Sequence, residues 1–181
     1  LSFGFLPLPN LPKCERTMLV ELIISNLPTR SVSNQYFQIY ASKIDYRVPK
    51  LDLPEFKTQY NLHCDTHSLT LESLDESLDY YLTYYIILYA VSHKVGNSAK
   101  LAKYHHVIQA IFKYLKFPQN STNYSLKYLQ LFATYQSFTP FTPYSDTQFL
   151  VQIAKLFKLD RDPIIFHKSS DMALIQFNRL L

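Results

Sequence analysis

The chain has 181 residues, 48% hydrophobic and 18% charged, with a formal net charge of +4, so it can bury a core and is not a disordered polymer. Gly4 and Gly96 are its only glycines, beside 10 prolines; this disfavours hairpin-rich folds and excludes both the Walker loop and the dinucleotide fingerprint. Lys43, Lys50, Lys57, Lys100, Lys103, Lys113, Lys116 and Lys127 are scattered rather than gathered in one run, and read as solvated helix faces, not as a nucleic-acid stripe.

Residues 1–12 carry three prolines and no period, an extended lead-in whose Phe3, Phe5, Leu6 and Leu8 can lie on a helical surface. Periodicity predicts a helix over 13–27 with Met18, Leu19, Leu22 and Ile23 on one face, and a second over 31–44 with Tyr36, Phe37, Tyr40 and Ile44. A connector punctuated by Pro49 and Pro54 follows, and Pro54 suits the first position of a short helix through Tyr60. The polar stretch 61–70 reads as a loop. Ser73 and Glu76 make a capping box that opens a long apolar helix through Val95, which Gly96 can close in a left-handed conformation. That helix is uncharged from Tyr80 to His93, too short a run to span a bilayer, and is expected to be buried on nearly every side.

Ser98 is the expected cap of a helix over 99–117, striped by Leu101, His105, Ile108, Phe112 and Leu115 and stopped by Pro118. Further helices are predicted over 124–137, over 146–158 behind a Ser145/Gln148 box, and over 169–181. The fold class is therefore all-α: an array of seven to eight helices in antiparallel pairs, in one domain spanning 1–181, with no significant sheet. Two cysteines favour a reducing compartment, and the Asn120 and Asn123 sequons read as chance. The opening at Leu1 and the amphipathic stretch still running at Leu181 are read as signs of a fragment, truncated at its C-terminus.

Few constellations suggest chemistry. His63, Cys64 and His67 are the nearest to a metal or nucleophile group, but lie in the expected loop without a third ligand at suitable spacing. His105 and His106 sit mid-helix, one facing the apolar stripe and one facing solvent. Glu72, Asp75, Glu76 and Asp79 fall in the first turns of the long helix, where its dipole accounts for them. Tyr80, Tyr81, Tyr84, Tyr85 and Tyr89 surround that helix and read mainly as packing residues with hydroxyls reaching water, a minority being suited to line an apolar pocket. No catalytic residue, resident metal or cofactor is expected, and no ligand-binding residue can be assigned.

Two segments carry a resemblance. Val48-Pro49-Lys50-Leu51-Asp52-Leu53-Pro54-Glu55-Phe56, following Tyr36-Phe37, resembles an early signature of the fungal-specific transcription factor domain, or middle homology region, of zinc-cluster proteins. Ala154-Lys155-Leu156-Phe157-Lys158-Leu159-Asp160-Arg161-Asp162-Pro163 is similar to a later segment of the same domain, and Asn178-Arg179-Leu180-Leu181 to the start of a helix that follows it. Phe157-Lys158 stand where the family has Leu-Gly, and Lys50 where it has an aliphatic residue. The motif residues Pro49, Pro54, Phe56, Asp160, Arg161, Asp162 and Pro163 have structural work: the prolines shape the turn that lets Phe56 anchor a helix, and the acidic–Arg–Pro corner orients two more.

The resemblance implies a nuclear, non-enzymatic regulatory domain that controls transcription by sensing a small-molecule effector or by contacts with a coactivator or inhibitor protein, with homodimer formation. DNA would be read only by a separate six-cysteine zinc module, which two cysteines cannot build, so zinc is expected only there. No membrane contact is implied. The alternative is a constitutive helical protein–protein scaffold without a small-molecule site.

Overall fold

The computed structural model describes residues 13–45, 51–66, 69–117 and 126–139, with single helical positions at 148, 151, 152 and 155. Within these residues the regular structure is all helical, with no strand: α1 (Lys13–Ser25), α2 (Arg30–Tyr40), α3 (Leu53–Thr66), α4 (Leu74–Val95), α5 (Ser98–Tyr114) and α6 (Leu126–Gln136), with a π turn over Ala41–Asp45 continuing α2. The expected helix over 169–181 and most of that over 146–158 lie outside the described residues.

Everything is organised round α4. Its uncharged middle, Tyr80 to Val91, is apolar or aromatic apart from Thr83, and from Ser77 to Ser92 only Asp79 escapes burial. Leu78, Leu82, Ile86, Ile87 and Leu88 are wholly buried, which a helix achieves only when neighbours cover its full circumference. Gly96 closes α4 at φ 71°, as expected of a left-handed C-cap. The immediate turn sends α5 back along α4, so that Asp75 meets Tyr114 and Tyr85 meets Tyr104. On another side α1 runs in the same direction as α4, with Arg16 at Asp75 and Ile23 at Tyr85. α6 does likewise, with Lys127 at Asp79 and Tyr135 at Tyr89.

Several boundaries differ from expectation, each for an identifiable physical reason. α3 does not stop at Tyr60 but continues to Thr66, so 61–66 is helix and not loop. Phe56, Tyr60 and His63 recur at helical spacing and all contact aromatic rings of α4, and this packing overrides the polar local sequence. Leu53, not Pro54, is the first residue of α3, because Asp52 Oδ1 accepts from the Glu55 amide at 3.1 Å and so occupies the cap. Ser73 makes no cap bond into α4; it pairs with Thr70 one turn earlier, each side-chain oxygen accepting from the other's amide at 3.0 and 3.2 Å. Asn97, not Ser98, caps α5, its Oδ1 accepting from the Lys100 amide at 3.1 Å. In α1 the buried residues are Leu19, Val20 and Ile23, while Met18 is 63% exposed.

Candidate functional site

The polar and aromatic side chains converge on α4 in four clusters. The largest is aromatic. Phe37 of α2 meets Phe56 and Tyr60 of α3 edge-on, at centroid separations of 5.1 and 4.7 Å. Phe56 in turn stacks on Tyr80 and Tyr84 of α4 at 5.6 and 6.1 Å. Such offset and T-shaped pairs add to the gain from area burial. His63 extends the stack, its ring lying 4.2 Å from Tyr80 and nearly parallel to it. Partial burial lowers the His63 pKa, and the nearby Asp79 carboxylate opposes that shift. The Tyr84 hydroxyl pairs with Ser33 Oγ; since that oxygen donates to the Thr29 carbonyl, Tyr84 is the donor between them.

A second cluster joins three helices. Arg16 Nη2 donates to Asp75 Oδ2 and to the Leu71 carbonyl, both at 2.9 Å, and the Tyr114 hydroxyl donates to Asp75 Oδ1 at 3.0 Å. Burial, then the hydrogen bond to Asp75, pushes the Tyr114 pKa up to about 12. In the third, Lys127 Nζ lies 2.7 Å from Asp79 and 3.4 Å from Glu55, tying α6 to α4 and α3. Burial alone would lower the lysine pKa; the two carboxylates outweigh it and raise it.

The fourth cluster sits between α4, α5 and α6. The Tyr135 hydroxyl and His105 Nδ1 are 2.7 Å apart, beside the Tyr89 ring. Burial, helped by His106, lowers the His105 pKa, while burial raises that of Tyr135. The imidazole is thus held neutral and the phenol protonated, and the imidazole tautomer sets which of the two donates. Near the π turn, Tyr40 is fully buried, and burial followed by Asp45 raises its pKa.

Of the motif residues, Phe56 is 3% exposed and packs on Tyr80 and Tyr84, whereas Pro54 lies on the surface. Pro49, Asp160, Arg161, Asp162 and Pro163 lie outside the described residues. So do the side chains of Cys64 and His67, leaving only His63 of that group, and its ring is engaged by Tyr80. His105 is half-buried and His106 exposed, as their positions on the helix predict. The tyrosines of α4 depart from expectation: all five are buried, and the Tyr84 and Tyr85 hydroxyls bond to Ser33 and the Ile23 carbonyl instead of reaching water. Asp75 and Asp79 do more than complement the dipole, each binding a cation from another helix. Only their position in the first turns was visible in sequence.

Among the described residues no group of three or more His, Cys, Asp and Glu side chains is arranged to hold a metal ion, and no helix is long and apolar enough to cross a membrane. Comparison with protein-family models, curated proteins and solved structures gives no match to this chain.

Proposed function

We propose that this chain is the regulatory region of a fungal zinc-cluster transcription factor, a non-catalytic helical domain that works in the nucleus through effector and protein contacts. The observation that carries the reading is a meeting in space. Tyr36-Phe37 and Leu53-Pro54-Glu55-Phe56, the two halves of the early signature, are separated in sequence, yet the Phe37 and Phe56 rings lie 5.1 Å apart and share Tyr84 of α4. A signature whose function is to fix one helix on another requires such a contact. The reading includes an array of seven or eight helices in antiparallel pairs, a homodimer, and DNA contact only through a separate zinc module. An effector or a coactivator or inhibitor protein acts by favouring one helical packing over another.

The test fuses the chain to an unrelated DNA-binding module in a yeast reporter strain. Reporter output should change several-fold relative to the module alone, and Phe56→Ala should abolish the change. Output equal to that of the bare module contradicts the proposal. A second reading, the constitutive scaffold, is favoured by the filling of the α4 cluster by its own rings, with Phe56, Tyr80 and Tyr84 stacked on one another. It predicts protein capture by the fusion with no dependence on growth condition or added xenobiotic.

A further inference from the structure

Charge is segregated along this chain. From Tyr80 to Ser145 the sequence contains no Asp or Glu, while Lys94, Lys100, Lys103, Lys113, Lys116 and Lys127 all fall there. Lys127 is neutralised by Asp79 and Glu55, and Lys100 lies over the Tyr36 ring, 5.2 Å from its centroid. The remaining cations of α5 point outward. Ala99, Ala102, Lys103, His106, Gln109 and Lys113 are exposed at helical spacing, and exposed Lys116 follows the helix end. Among the described residues no carboxylate forms a salt bridge with Lys103, Lys113 or Lys116.

We propose that this outward face of α5 is a docking surface for an acidic helix of a partner protein. Lys103 to Lys113 spans about 15 Å along the helix axis, nearly three turns of a facing helix, and Lys116 stands just past the helix end. Ala99 and Ala102, exposed on the turn before Lys103, let a second helix approach closely at that end, since interaxial distance is set by the side chains at the contact. Complementary charge steers such an encounter and fixes its register. Nucleic acid fits less well. The face has no arginine, hence no planar fork for phosphate or base edges, and its few lysines supply only a weak, salt-sensitive phosphate term. The inference is independent of whether the chain belongs to a transcription factor.

The test uses the whole 181-residue chain and a fluorescein-labelled helical peptide with glutamate along one face, followed by fluorescence anisotropy. Saturable binding is expected at low salt, weakening as salt rises, with an affinity loss of about tenfold or more when Lys103→Glu and Lys113→Glu are combined. The pair Lys43→Glu and Lys57→Glu, exposed on the π turn and on α3, should leave affinity within about twofold, as expected of charges remote from the contact. Circular dichroism melts check that each variant is folded. Absence of binding at low salt, equal losses in both pairs, or tighter binding of duplex DNA than of the peptide would each overturn the assignment.

Discussion

Asp75 accepts from Arg16 of α1 and from Tyr114 of α5 while sitting in the first turn of α4. Replacing it with Ala strands a guanidinium and a phenol that are both part-buried, so Asp75→Ala should cost about 1–3 kcal/mol, read as a lowered denaturant midpoint. Phe56→Ala removes the ring that links Phe37 to Tyr80 and Tyr84, and should cost about 3–5 kcal/mol in the same measurement. Exposed Pro54 provides the contrast: Pro54→Ala should change stability by about 0.5 kcal/mol or less. An aromatic residue behind a proline turn was legible at Phe56. The partners of Asp75 were not, because Arg16 and Tyr114 lie 59 and 39 positions away. Local sequence explains an acid at a helix start without them.

Helix periods were legible where they were long. The burial of α4 on all faces, its closure at Gly96 and the apolar side of α5 follow from spacing alone. Ends were less legible. Ser73 has the right chemistry for a cap, yet Thr70 takes it, and a box one turn earlier cannot be told from the expected one by residue type. The extent of α3 depends on Tyr80 waiting opposite His63, a tertiary contact that polar local sequence conceals. For α6, the sequence supplied a period but not its tether. Since Lys127 bridges Asp79 and Glu55, Lys127→Ala should loosen α6 selectively. Limited proteolysis within 126–136 should accelerate while α4 stays intact; unchanged cleavage would mean that ring packing alone holds the helix.

At the scale of the whole molecule, stability should fall at both ends of the pH range. His63 and His105 have folded pKa values below the ordinary value of 6.5. The unfolded chain therefore takes up protons first as pH falls through that value, and stability is lost on the acid side until the folded groups also protonate. His105→Gln should flatten part of that slope in denaturant midpoints measured between neutral and mildly acidic pH. On the alkaline side, Tyr85, Tyr104, Tyr114 and Tyr135 have raised pKa values, burial being the main cause. Their stabilisation is complete below the ordinary tyrosine value of 10.0 and is lost as pH rises through it, because the unfolded phenols ionise first. Both slopes arise from groups packed on or beside α4, the helix on which the arrangement of the others depends. Native-state hydrogen exchange tests that organisation most directly. Amides from Leu78 to Val91 should be the slowest in the chain, exchanging only through global unfolding, with α1, α3 and α6 opening earlier by local fluctuation. Fast exchange across Leu78–Val91 while α5 or α6 stays protected would contradict an array built round α4.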